Sequence, residues 1–142
     1  MPGASRSIVI DAPIEKVFQV ITDYEKSGEY LTEVRSARVE NRRGNECDVH
    51  YEVDVIKRIK YAVHMKEEPP KRLSWTFLQG EFMRDNKGVW ELEPDGPTRT
   101  KCTYSIDMEL GPLVPKTIVK ALVETSLPKM LEATQKRAES LK

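Results

Sequence analysis

From residue 47 onward apolar and polar positions take turns along the chain. Cys47, Val49, Tyr51, Val53 and Val55 are apolar, and Asp48, His50, Glu52 and Asp54 separate them. Ile59, Tyr61, Val63 and Met65 repeat the pattern against Lys60, His64 and Lys66, and Leu73, Trp75 and Phe77 continue it. Phe82, Trp90 and Leu92 share one parity, as do Cys102, Tyr104, Ile106, Met108 and Leu110. A period of two held over this distance predicts antiparallel strands with one wet and one dry face. The turn signals fall between them, at Arg43-Gly44-Asn45, Pro69-Pro70, Gln79-Gly80-Glu81 and Pro94-Asp95-Gly96-Pro97. Residues 33–41 form the least regular strand, because Val34 is out of phase with Ala37 and Val39, and a bulge is expected there.

The two ends follow another period. Ile8, Val9 and Ile10 make a short strand, and residues 1–5, small and short-chained, are expected to fray. Asp11-Ala12-Pro13 then starts a helix, with Asp11 as a possible cap, whose apolar positions are Ile14, Val17, Phe18 and Ile21. Residues 23–31 read as a second short helix broken near Gly28.

At the far end Gly111-Pro112 and Pro115 stop the last strand and open a long helix over 115–141. Val119, Val123, Leu127, Met130, Leu131, Thr134, Ala138 and Leu141 form its stripe, opposite Lys120, Glu124, Lys129, Glu132, Lys136, Arg137 and Lys142. Such a helix is roughly 40 Å long. Burying the stripe contributes on the order of 10 kcal/mol before ordering entropy, so the helix must pack on something. Pro128 removes the donor that would meet the Glu124 carbonyl, so a bend is expected there.

The sheet's dry face needs a cover, and this helix is the one long element that can supply it. The fold class is therefore α+β: a curved antiparallel sheet of about seven strands wrapped around a long C-terminal helix, with two short helices after the first strand. At 142 residues the chain is one domain, 1–142, with a real core.

Composition narrows the function classes. The 23 basic and 23 acidic residues cancel and are intermixed, and no basic block or zinc spacing calls for nucleic acid. Cys47 and Cys102 are far apart and read as buried thiols. No window approaches a membrane span or a signal-peptide core, which makes a cytoplasmic protein without membrane insertion the expectation. Oligomeric state is not legible.

Tyr51, Tyr61, Met65, Trp75, Phe77, Phe82, Trp90, Tyr104 and Met108 face the stripe, whose upper half offers Val119, Val123, Leu127 and Met130. Several aromatics with polar tips on one face suit a cavity with hydrogen-bonding rims better than a dry core. Arg84 and Asn86 share that parity. A charge there must be paired or meet a ligand, so an inward Arg84 would hold a carboxylate or phosphate, or pair with Glu81 or Glu67. A bulge over 84–87 would flip the parity and put Arg84 on the surface; both placements stay open. His50 and His64 lie on the wet parity, and with no third ligand beside them no metal site is expected. No catalytic pairing of nucleophile and base and no cofactor motif emerges.

The order of elements, with the residues Ile10-Asp11-Ala12-Pro13-Ile14-Glu15-Lys16-Val17-Phe18, Asp23-Tyr24-Glu25 and Gly88-Val89-Trp90-Glu91-Leu92-Glu93-Pro94 followed by Thr100 and Tyr104, resembles the START-related SRPBCC superfamily of helix-grip proteins. The resemblance spans nearly the whole chain, and the nearest branch is the polyketide cyclase/dehydrase and coenzyme Q-binding one. Ser27-Gly28-Glu29-Tyr30 stands where relatives often carry Tyr-Pro, an acidic and an aromatic residue, and losing the proline should loosen a segment that in relatives edges the pocket.

The resemblance implies a cavity between sheet and helix for a hydrophobic or amphipathic small molecule such as a lipid, quinone or polyketide. Three functions fit it. The first is a non-catalytic binding or transport module, and the second an aromatase/cyclase-type enzyme in which Arg84, Tyr61 or Tyr104 polarises a carbonyl or moves a proton. The third is a macromolecular interaction protein of the ribosome-associated type.

Overall fold

The structure is a computed structural model that describes residues 3–54 and 58–141, and their side chains except at residues 3, 122 and 123. Val55 and the side chain of Val123 thus lie outside the described residues. Seven strands form one antiparallel sheet in the order β1-β7-β6-β5-β4-β3-β2. They are β1 (Gly3–Ile10), β2 (Val34–Arg43), β3 (Glu46–Asp54), β4 (Arg58–Glu68), β5 (Arg72–Gly80), β6 (Met83–Pro94) and β7 (Thr100–Leu110). The six later strands are a meander, and β1 closes it by pairing with the last.

β1 is longer than its apolar core suggests. Gly3 already pairs with Asp107, and Ser5 and Ser7 hydrogen-bond across the outer face to Ser105 and Thr103, at 3.0 and 3.1 Å. Residues 3–5 are therefore held in the sheet where fraying was expected. The signal missed is the match of small hydroxyl side chains to partners about a hundred residues away.

Helix α1 (Ile14–Thr22) buries Ile14, Val17, Phe18, Val20 and Ile21. Pro13, not Asp11, stands at its N-cap, with no side-chain cap, while the Asp11 backbone N–H donates to Glu139 Oε2 at 3.0 Å. A 3-10 helix, Tyr24–Glu29, follows.

The C-terminal helix runs in three parts, α2 (Lys116–Ala121), a π turn (Leu122–Ser126) and α3 (Leu127–Ser140). The interruption that Pro128 requires takes the form of the π turn just before it, since a widened turn absorbs the missing donor. The buried stripe is Leu127, Leu131, Thr134 and Ala138, which pack α3 against α1 and β1. Leu141, expected in the stripe, is 45% exposed beyond the last turn, and α2 buries no residue. Among the described side chains of this helix the buried ones lie in α3, and α2 overhangs the concave face.

Two glycines fix how close the floor of that face is packed. A Cβ on Gly88 would lie 2.5 Å from Trp75 Cζ2 and 2.6 Å from the Ser105 carbonyl oxygen. One on Gly80 would meet Tyr61 Cβ at 2.8 Å. Trp75 therefore lies flat across β6 in space that no larger residue at 88 would leave.

Candidate ligand cavity

Between the sheet and the overhanging helix is a cavity of about 610 Å³. That is within the roughly 300–1,000 Å³ typical of small-molecule sites. The sheet contributes Tyr51, Tyr61, Met65, Trp75, Trp90, Tyr104 and Met108 from the dry parity, together with Val53, Ile59, Val63, Leu73 and Ile106 between them. Val119, Leu127 and Met130 come down from the helix.

Asn86 lies on the wall, 3% exposed, and Arg84 does not: it is exposed. The two were expected on one face. A register shift between Met83 and Asp85, next to Phe82 at φ 59°, inserts the extra residue that separates them. The same turn carries Phe82 off the wall, 38% exposed, with its carbonyl accepting the Gly111 N–H at 2.9 Å. Phe77 is also off the wall, because its ring folds over Gly80, where an ideal Cβ would be 3.0 Å from Cε1, and Met83 takes the wall position beside it. Glu67, the other partner considered for Arg84, accepts instead from Tyr24 Oη at 2.6 Å and Arg42 at 3.0 Å.

Residues 27–34 were missed as a group. Ser27, Tyr30, Leu31, Thr32, Glu33 and Val34 all border the cavity. They have no periodicity to read, because a 3-10 turn and a loop face inward only through tertiary placement. The one available signal was the segment's place in the family resemblance. Arg137 covers the Tyr30 ring at 5.5 Å and pairs with Glu29 at 2.6 Å, which ties this edge to α3. Across the mouth Ser126 Oγ donates to Glu33 Oε1 at 2.9 Å.

The aromatic wall is ordered by ring contacts. Tyr51 and Tyr61 stack at 5.3 Å, Trp75 lies 5.6 Å from Tyr104, and Trp90 meets Tyr104 edge-on at 4.9 Å. The Trp75 Nε1–H donates to Asn86 Oδ1 at 3.0 Å. Burial pushes the wall phenols up: Tyr61, with Glu33 adding to the effect, reaches about 12, Tyr30 at the edge also reaches about 12 although Arg137 opposes the rise, and Tyr51 and Tyr104 are raised further by neighbouring phenols. They stay protonated across the physiological range. Burial also raises both thiols, Cys102 to about 12, so neither is poised as a nucleophile. Among the described residues no cluster of three or more potential metal ligands occurs, and no helix is long and apolar enough to cross a membrane.

Charge gathers on the outer face. His64 sits between Asp48 Oδ1 at 2.7 Å and Glu46 Oε1 at 2.8 Å, and these hydrogen bonds raise its pKa while lowering those of both carboxylates. A raised folded-state value means that the His64 contribution to stability is full below its unfolded pKa of about 6.5 and is lost as pH rises through the folded one. The carboxylates contribute above their unfolded values of about 4 and lose that contribution on acidification. Replacing His64 with Gln should therefore flatten the decline in Tm as pH rises above about 6.5. An unchanged slope in thermal melts over that range would rule this cluster out as its source.

A family profile described as polyketide cyclase/dehydrase and lipid transport matches residues 1–139. Among curated protein sequences none matches. Of solved structures, a START superfamily protein from Mycobacterium smegmatis superposes with a TM-score of 0.86 at 18% identity, over 99% of both chains. The Zhui aromatase/cyclase from Streptomyces sp. R1128 gives 0.88 at 15%, over 97% of this chain and 93% of that one. A STAR-related lipid transfer protein from Xanthomonas axonopodis gives 0.80 at 16%, over 96% and 85%. At these identities the likeness to the three structures is one of fold. The profile match covers all but the last three residues, and by it the chain belongs to the polyketide cyclase/dehydrase and lipid transport family.

Proposed function

We propose that the protein binds and carries a hydrophobic or amphipathic small molecule between its sheet and its C-terminal helix. The observation behind this reading is the space itself, about 610 Å³ walled mainly by apolar and aromatic side chains under a half-helix that buries nothing. A chain that needed only stability would fill such a volume, because voids forfeit dispersion contacts. The names of two fold neighbours, a lipid transfer protein and an aromatase/cyclase, agree with the handling of a small molecule of this kind. Carriage is favoured over cyclisation because the one carboxylate on the described wall, Glu33, is engaged by Ser126 at the mouth. A proton acceptor is thus lacking deeper among the described side chains.

Native mass spectrometry of freshly purified protein should show a one-to-one adduct that solvent extraction removes. The extracted protein should then bind the neutral dye N-phenyl-1-naphthylamine at one site. An extracted, folded protein that binds no apolar dye would overturn the reading.

A further inference from the structure

The polar groups on the inner wall are of one kind. Tyr51 and Tyr61 face each other across β3 and β4, and Tyr104 stands opposite Trp90 on β7. All three tyrosines line the cavity, where the Tyr51 and Tyr61 rings stack at 5.3 Å. None of these wall hydroxyls has a hydrogen-bond partner among the described residues, although Tyr104 is only 8% exposed. The Trp75 N–H fixes the Asn86 carboxamide oxygen, which leaves the Asn86 NH2 group without a partner among the same residues. Asn86 is 3% exposed.

Tyr51 and Tyr61 are half-buried, and these four donor groups open onto the cavity instead of being sealed in the core, so they are available to something that enters it. A guest that accepts would satisfy all four at once. An NH2 group can only donate, and a phenol that stays protonated at neutral pH can donate as well as accept. An anion would accept too, but the charged side chains on the described wall are Glu33, at the mouth and close enough to Tyr61 to raise it, and Lys129, exposed on the rim. Arg84, the cation that could have neutralised a buried carboxylate, is outside. A charge moved into this interior would lose its hydration without gaining a counter-charge.

We infer that the cavity selects an uncharged, largely apolar molecule and holds it by carbonyl oxygens, with the hydroxyls of Tyr51, Tyr61 and Tyr104 and the amide NH2 of Asn86 as donors. Ketones, quinones and esters have this chemistry; free fatty acids and phosphate esters do not. The inference deepens the carrier reading and rests on it.

Three probes of one size separate the possibilities: 2-acetylnaphthalene, its alkene isostere 2-isopropenylnaphthalene, and the anion 2-naphthoate, each displacing N-phenyl-1-naphthylamine from extracted protein at pH 7.5. The ketone should bind about tenfold more tightly than the alkene, as one to two net hydrogen bonds provide, and the naphthoate most weakly. In Tyr61→Phe and Tyr104→Phe the ketone should lose its advantage while alkene affinity holds, which also reports that the variants are folded. The infrared carbonyl band of bound 2-acetylnaphthalene should sit below its position in alkane and return toward it in those variants. Equal binding of ketone and alkene to the wild type, or tightest binding of the naphthoate, would overturn the inference and leave the carrier reading standing. If the dye and all three probes failed to bind, the carrier reading itself would fall.

Discussion

Alanine at position 88 should lower the Tm by about 8 °C, the equivalent of roughly 2–3 kcal/mol in a chain of this size, and weaken dye binding by about tenfold. The methyl group would arrive 2.5 Å from Trp75 Cζ2 and 2.6 Å from the Ser105 carbonyl oxygen. The second contact is with the backbone of a paired strand, so it cannot relax without opening the β6–β7 ladder. The first can be relieved only by lifting the indole. Lifting it strains the 3.0 Å bond to Asn86 and the packing on Tyr104, and moves the ring into the cavity. Circular dichroism melts and dye titration check the two halves separately. A Tm within about 2 °C of wild type would mean that Trp75 is not seated as described.

Tryptophan at position 133 should do the opposite, leaving stability unchanged or slightly raised while reducing dye affinity by about a hundredfold. Ala133 is on the α3 side of the cavity between Met130 and Thr134, and no described contact requires it to be small. An indole there would occupy space the dye needs and would bury apolar area rather than overpack, because the volume is already present. Calorimetry and dye titration of Ala133→Trp test this. Retention of full affinity would place the dye elsewhere than under α3.

The two substitutions also mark how much could be read from the chain. Alternation put Tyr51, Tyr61, Met65, Trp75, Trp90, Tyr104 and Met108 on the concave face, and the structure has them on the cavity wall, because parity survives wherever strands pair without interruption. It failed where one residue was added. Arg84 and Asn86 are indistinguishable by parity, and the left-handed turn at Phe82 with the shift after Met83 sends them apart. Phe77 failed differently, since its ring covers a glycine instead of facing the space.

The expected bulge in β2 is present between Val34 and Ser36. The segment 27–34 carried no pattern that could have announced it as a wall. In the C-terminal helix, spacing identified Leu127, Leu131, Thr134 and Ala138 as the packed stripe, but not that the stripe ends before α2. Pro128 announced an interruption; its form, a π turn on the N-terminal side, depends on how tightly α3 is clamped against α1 and β1.

That widened turn has a geometric corollary. It accommodates one residue beyond what an ordinary α turn would hold, so the first helical segment is rotated by roughly 100° from the heading an unbroken spiral would give it. Which flank of Lys116–Ala121 overlooks the cavity is thus set by the count of residues in 122–126 more than by their identity. Shortening that stretch by a single codon would swing Val119 away and present a new flank to the opening, with the sheet beneath unaltered. One insertion or deletion at this joint would therefore reshape the entrance while the strand pairing of the floor stayed as it is.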